Sequence, residues 1–220
     1  MNEAAKTILL RGAAELGLQL TSAQLGNFYT YAGELTKWSK KINLTAIRTD
    51  EDIALKHFID SLTVAKVVKN RGKLLDLGSG GGFPAIPLKI LFHELQIVSV
   101  DAVEKKVIFQ RHVARLLHLH GFDAVHARGE ELVKSHVGQF DWIVSRAFSD
   151  IPTFVAMALP LLKPDGRIIA MKGRGGREEG EAAKGALDDL GGRIVDMLEF
   201  RLPVSGDARY IVLIGRAEGS

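Results

Sequence analysis

Residues 74–84 read Leu-Leu-Asp-Leu-Gly-Ser-Gly-Gly-Gly-Phe-Pro, a short apolar run tipped by an acid and followed by four glycines within five positions. Twenty-five residues beyond Asp76, Val-Ser-Val-Asp ends at Asp101. A strand, a glycine turn, a helix and a second acid-tipped strand make up half of a nucleotide-binding sheet. Glycine at Gly78 and Gly80 lets the backbone pass close to a ligand where a Cβ would collide with it. An acid at the tip of the second strand, Asp101, can accept hydrogen bonds from both hydroxyls of a ribose and can also cap the following helix. An adenosine-bearing cofactor is therefore expected.

Downstream of this stretch the pattern alternates. Strands are expected at 73–77, 97–101, 124–127, 140–145 and 167–172, with helices near 84–93, 103–119 (stopped by Gly121), 130–136, 151–162 and 178–190. Such alternation predicts a mostly parallel sheet with helices on both faces. Residues 193–201 and 208–216 are strand-like runs joined by Leu-Pro-Val-Ser-Gly-Asp, a link short enough to make them an antiparallel hairpin. Upstream, the first 70 residues read as helical. Thr21 with Gln24 fits a capping box, and Leu25, Phe28, Tyr29, Ala32, Leu35 and Trp38 recur at helical spacing. Asp50 is the expected cap of a further helix whose stripe is Ile53, Ala54, His57, Phe58, Leu62 and Ala65. The expected division is a helical extension over 1–70 packed on a core domain over 71–220.

The chain has 220 residues and no cysteine. That excludes disulfides, thiolate metal sites and a cysteine nucleophile. No run approaches the ~18 apolar residues of a membrane helix, and the start has no basic-then-apolar leader, so a cytoplasmic protein without a membrane partner is expected. The net charge of +3 permits an acidic partner without demanding one. Its distribution is uneven. Basic residues cluster at Lys37–Arg48, at Lys105, Lys106, Arg111 and Arg115, and at Lys172, Arg174 and Arg177. Each cluster alone reads as a solvated face. The seven histidines show no metal spacing, and no metal is expected.

Dehydrogenases and S-adenosylmethionine-dependent methyltransferases share a glycine turn followed by a ribose-binding acid. The turn here lacks the third glycine at dinucleotide spacing. Phe83-Pro84 follows at once, so the helix starts early and leaves little amide supply for a pyrophosphate. S-adenosyl-L-methionine, which has none, is the expected cofactor. Asp76 then either reaches the methionine amino group or caps the glycine turn.

Several segments together resemble the RsmG (GidB) family of 16S ribosomal RNA methyltransferases. They are Trp38-Ser-Lys-Lys-Ile-Asn-Leu-Thr-Ala-Ile47, Lys56-His-Phe-Ile-Asp-Ser-Leu62, Asp76 to Pro87, Asp101-Ala-Val-Glu-Lys-Lys106, Phe140 to Ala147 and Met171-Lys-Gly173, in the right order over about 28–173. The resemblance implies a class I methyltransferase sheet and transfer to N7 of a guanosine in small-subunit rRNA. It places cofactor contacts at Gly78, Phe83, Gly129, Glu130 and Arg146. The implied partner is 16S rRNA, within the 30S subunit or an assembly intermediate, with the enzyme a monomer. One departure is visible: Gly129-Glu130 stands where Ala-Glu is expected, a harmless change if that position contributes only backbone.

The residues themselves narrow the acceptor. Pyrimidine C5 methylation commonly needs a cysteine nucleophile. Exocyclic amine methylation uses an Asp/Asn-Pro-Pro-aromatic loop, where this chain reads Ser145-Arg146-Ala147-Phe148. Ribose methylation wants a lysine–acid network, and Arg146 stands where its acid would be. Guanine N7 has a free lone pair and needs no base, so no acid or base is assigned; Arg146 and Lys172 are positioning candidates. Arg146 is expected to orient the cofactor, paired with an acid such as Glu130, or to meet the guanine edge. Lys172 is either a phosphate or base contact or a solvated lysine. Trp38 and His57 read as core, and Asn43 and Thr45 as a loop near the pocket or a plain turn. Lys105, Lys106, Lys172, Arg174 and Arg177 fall at the strands' carboxyl ends and are the expected RNA contacts. The competing readings are a methyltransferase for another nucleic-acid position or a small molecule, a non-catalytic cofactor- or RNA-binding module, and a dehydrogenase.

Overall fold

A computed structural model describes residues 1–146, 148 and 150–217. Ala147, which closes the fourth-strand block of the resemblance, lies outside the described residues. Seven strands form one sheet: β1 (Lys73–Leu77), β2 (Gln96–Asp101), β3 (Phe122–His126), β4 (Phe140–Ser145), β5 (Leu162–Lys172), β6 (Gly192–Arg201) and β7 (Ala208–Arg216), in the order β3-β2-β1-β4-β5-β7-β6. The first five are parallel, and β7 is antiparallel to both β5 and β6, as the hairpin reading requires. The fold is a class I methyltransferase sheet. Among the described residues no helix is long and apolar enough to cross a membrane.

The period-2 rule divides each strand between two cores. Leu74, Ile97, Val144, Ile169 and Ile211 face one side, and Leu75, Val98, Ile143, Ile168 and Val212 face the other. The second face is covered by α6 (Ile151–Ala158) and α7 (Gly176–Asp189). The first is covered by α4 (Ala85–Leu91) and α5 (Glu104–Leu116) together with the N-terminal helices. Those are α1 (Glu3–Glu15), α2 (Ser22–Ile42) and α3, residues 50–66. Phe28, Tyr31, Phe58, Phe83 and Phe109 meet in one aromatic cluster, and the Tyr31 hydroxyl donates to Gly81 O at 2.6 Å. The helical extension is thereby tied directly to the glycine turn.

Several boundaries differ from expectation for identifiable reasons. The capping box at Thr21–Gln24 is present, but α3 is capped by Thr49, whose hydroxyl accepts from Asp52 N. Asp50 instead accepts from Asn2 N at 2.7 Å. Within α3, Ile53–Ile59 is wound as a π-helix between α turns, a register change no apolar stripe reveals. The helix expected to reach 119 ends at Leu116, and His118 takes the left-handed conformation (φ 51°) ahead of Gly121. The expected helix at 130–136 is a 3-10 turn, Gly129–Lys134. Helix α6 stops at Ala158, because Pro160 lacks an N–H and its ring would meet the carbonyl one turn back. Strand β5 begins early: Leu162 pairs with Phe140, and the register then jumps to Arg167 opposite Trp142.

Candidate cofactor cleft and its basic neighbour

The cleft is built where β1 and β2 end. Gly78 (φ 75°) and Gly80 (φ 59°) lie in the left-handed region, which side chains other than glycine's rarely adopt. A Cβ on Gly82 would also come within 2.5 Å of Ile86. Two acids hold the turn. Asp76, wholly buried, accepts from Ala85 N at 3.0 Å and so starts α4. Asp101 accepts from Gly80 N through one oxygen and from Val103 N through the other, each at 2.8 Å. Behind them the buried Gln110 amide donates to Ser79 Oγ and Gly80 O and accepts from Ser99 Oγ. The turn is therefore held by hydrogen bonds to both acids and to Gln110.

A cavity of about 290 Å³ opens beside it, lined among others by Gly78, Asp101, Gly129, Glu130, Phe148 and Met157. Four candidate cofactor residues thus share one cleft. Asp76 and Gly80 do not line it: Asp76 is wholly buried, and Gly80 is part of the turn with its N–H held by Asp101. Nor does Phe83, which is 4% exposed and whose ring is stacked between His57 and Tyr31. Phe83 floors Arg146, whose guanidinium lies 5.2 Å above the ring. At Gly129 an alanine would need Met157 to shift. A Cβ there would fall 2.0 Å from Met157 Sδ, so the missing methyl is the space Met157 occupies.

Arg146 does not pair with Glu130. Glu130 follows β3 on the cleft wall, whereas Arg146 turns toward α3, donating to Lys56 O at 3.0 Å and lying 3.4 Å from Asp60. Asp60 also accepts from Arg209 Nε at 2.7 Å. These three residues line a second cavity of about 290 Å³ with Thr63, Lys172, Gly173 and Tyr210. Lys172 is not free: it is ion-paired with Glu179 at 2.6 Å and donates to Phe148 O. Arg177 is paired with Glu199 at 2.6 Å, and Lys106 lies 3.9 Å from Asp101, while Lys105 and Arg174 stand exposed. Acids already partner three of the five residues expected to form the basic rim. His57 is core, as expected; Thr45 is its hydrogen-bond partner, and Asn43 is the left-handed C-cap of α2. Trp38 packs on Phe109 and donates to Glu34.

Burial sets the protonation here. It pushes the Asp76 carboxyl well above the usual carboxylate range, only partly opposed by the Ala85 N–H and the charge of Arg146. Asp76 Oδ1 is buried without a hydrogen-bond partner among the described residues. A far larger groove, about 1130 Å³, runs from Lys73 and Gln96 to Phe122, at the opposite ends of the strands. It lies away from the turn, the wrong edge for ligands of a parallel sheet.

The residues missed in the sequence were Asp60, Arg209, Gln110 and Met157. Asp60 sits inside the quoted Lys56–Leu62 block, so a signal existed; Arg209 is brought in only by the antiparallel return of β7. The model of the GidB family, rRNA small subunit methyltransferase G, matches residues 24–201. The chain belongs to this family. Ribosomal RNA small subunit methyltransferase G of Geotalea uraniireducens (strain Rf4) is 81% identical over 97% of this chain and 98% of its own length. The protein of the same name from Geobacter metallireducens is 62% identical over the whole of both. Among solved structures, M. jannaschii TYW2 in complex with AdoMet superposes with a TM-score of 0.58 at 13% identity, covering 71% of this chain and 74% of that one. At that identity it speaks for the fold alone. The family match runs from α2 to the end of β6, and so takes in the turn, the cleft and Arg146.

Proposed function

We propose that this protein is an S-adenosyl-L-methionine-dependent methyltransferase that modifies N7 of a guanosine in 16S ribosomal RNA, acting on the 30S subunit or an assembly intermediate as a monomer. The observation that carries it is the family match over 24–201 on a chain whose glycine turn and ribose-level acid share one cleft. The residues present fit the cofactor. Asp101 faces the cleft with lone pairs left for ribose hydroxyls, and Gly78 opens the wall to close backbone approach, while Asp76, buried off the cleft, holds the turn through Ala85 N. Glu130 and Gly129 line the far wall, and Met157 and Phe148 supply its apolar part.

When bound, the cofactor supplies a methyl group on a positively charged sulfur. The protein's own work is placement. N7 attacks with a lone pair, so no residue has to remove a proton, and a general base is not required. Arg146, fixed by Asp60, Lys56 O and the Phe83 ring, orients whatever enters between the two cavities. Lys105, Lys106, Arg174 and Arg177 offer charge to the RNA backbone at the same edge.

Labelled S-adenosylmethionine offered with 30S subunits, naked 16S rRNA and small acceptors, followed by mapping of the modified base, tests this. Label at a guanine N7 supports it; label at a pyrimidine, a ribose or a small acceptor overturns it.

A further inference from the structure

The cavity beside the cofactor cleft has its own electrostatic character. Arg146 lines this cavity and Phe148 lines the cleft. Its walls come from the end of β5 (Lys172, Gly173), the start of β7 (Arg209, Tyr210) and α3 (Asp60, Thr63). Asp60, with its side chain 8% exposed, is shared between Arg209 at 2.7 Å and Arg146 at 3.4 Å. One carboxylate between two guanidiniums leaves one positive charge uncompensated. Lys172 adds none, because Glu179 neutralises it.

Arg209 is held in a particular pose. Its Nε is spent on Asp60 and Nη1 donates to Ala208 O, while Nη2 has no partner among the described residues. That leaves Nη2 as a charged donor nitrogen for a phosphate oxygen. Tyr210 and Phe200 line the same cavity and give a base or sugar an apolar wall.

We propose that this cavity seats a backbone phosphate of the RNA at the nucleotide being methylated, with Arg209 as its principal contact and Asp60 keeping Arg209 and Arg146 in register. The inference deepens the RNA-methylation reading and rests on it. It makes Arg209 a substrate-binding residue, which nothing in the basic clusters of the sequence suggested.

The test compares wild type, Arg209→Gln and the charge-conserving Arg209→Lys. Calorimetry measures S-adenosylhomocysteine, guanosine and guanosine 5′-monophosphate, and methylation of 30S subunits is followed over a salt series. Wild type should bind the monophosphate about tenfold more tightly than guanosine. Arg209→Gln should erase that preference, raise KM for the RNA more than it lowers kcat, and reduce the salt slope by about one phosphate contact. S-adenosylhomocysteine affinity should stay the same. If Arg209→Gln does not fold, Arg209→Lys should still lose part of the phosphate preference, because a single ammonium cannot hold Asp60 and Ala208 O and also reach the phosphate. Equal binding of guanosine and its monophosphate by wild type overturns the proposal. So does a parallel loss of S-adenosylhomocysteine binding in the variant, which would assign the charge to the cofactor's carboxylate. Phosphate preference with no guanine-N7 methylation would instead sink the function and leave the pocket standing.

Discussion

His57 lies flat on Phe83, with ring centroids 4.2 Å apart and planes 10° from parallel. Its Nδ1 is 3.3 Å from Arg146 Nη2, and its Nε2 is 2.8 Å from Thr45 Oγ1. Only a neutral ring can accept from the guanidinium at Nδ1, so Nε2 carries the proton and donates to Thr45. Burial, reinforced by the Arg146 charge, accordingly lowers the His57 pKa from 6.5 to about 3.

This makes one component of stability acid-sensitive. Between about 6.5 and 3 the unfolded chain binds a proton at His57 that the folded chain does not, so the folded state loses ground as pH falls through that window and regains it above. The slope from this one group is at most about 1.4 kcal/mol per pH unit. Urea unfolding of wild type and His57→Gln from pH 7.5 to 4.5 should give a shallower pH dependence for the variant. Superimposable slopes would mean that the folded protein protonates His57 readily.

A second coupling concerns Gly129 and Met157, which cannot both be large. Restoring alanine at 129 places a methyl 2.0 Å from the present sulfur position, so Met157 must move within the cofactor cleft that it lines. Overpacking of this kind costs about 1–3 kcal/mol, less where a flexible methionine can yield. Gly129→Ala should weaken S-adenosylhomocysteine binding by about three- to tenfold. Adding Met157→Ala to Gly129→Ala should recover most of that loss. A double variant as weak as Gly129→Ala alone would show that the methyl harms the site by some other route.

Asp101 carries two tasks on one carboxylate, since its two oxygens hold the Gly80 and Val103 amides. An asparagine keeps the shape but turns one acceptor into a donor facing an N–H. Asp101→Asn should therefore lose more than tenfold in S-adenosylhomocysteine affinity by calorimetry, and its melting temperature should also fall. An affinity within twofold of wild type would remove Asp101 from both the turn and the ribose.

Most of the fold was legible because the signals were local. The apolar runs of β1, β2 and β4, the glycine turn and the capping box at Thr21 each follow from a few neighbouring residues. The partners of Arg146 and Lys172 were not legible. Glu130 looked plausible because it is acidic and follows a strand, but sheet order sets it on the cleft wall while α3 delivers Asp60 to Arg146. Phe83 was placed at the cofactor by resemblance, and only packing shows its ring turned into the aromatic cluster. The π-helical stretch Ile53–Ile59 hides for a similar reason, because an apolar stripe of a few turns fits either winding.

The basic rim supplies the last prediction. Arg177 and Glu199 form an exposed pair, about half of each side chain open to water, and such pairs contribute little to stability. Glu199 therefore mainly cancels the Arg177 charge at the proposed RNA rim. Glu199→Gln frees Arg177 without disturbing the core. It should tighten RNA binding at low salt and steepen the salt dependence by about one contact, while Arg174→Gln, removing a candidate that is exposed and without an acidic partner among the described residues, should flatten it by about one. Filter binding of 16S rRNA over a salt series reads both. Slopes unchanged in the two variants would move the RNA path off this rim and toward another edge of the sheet.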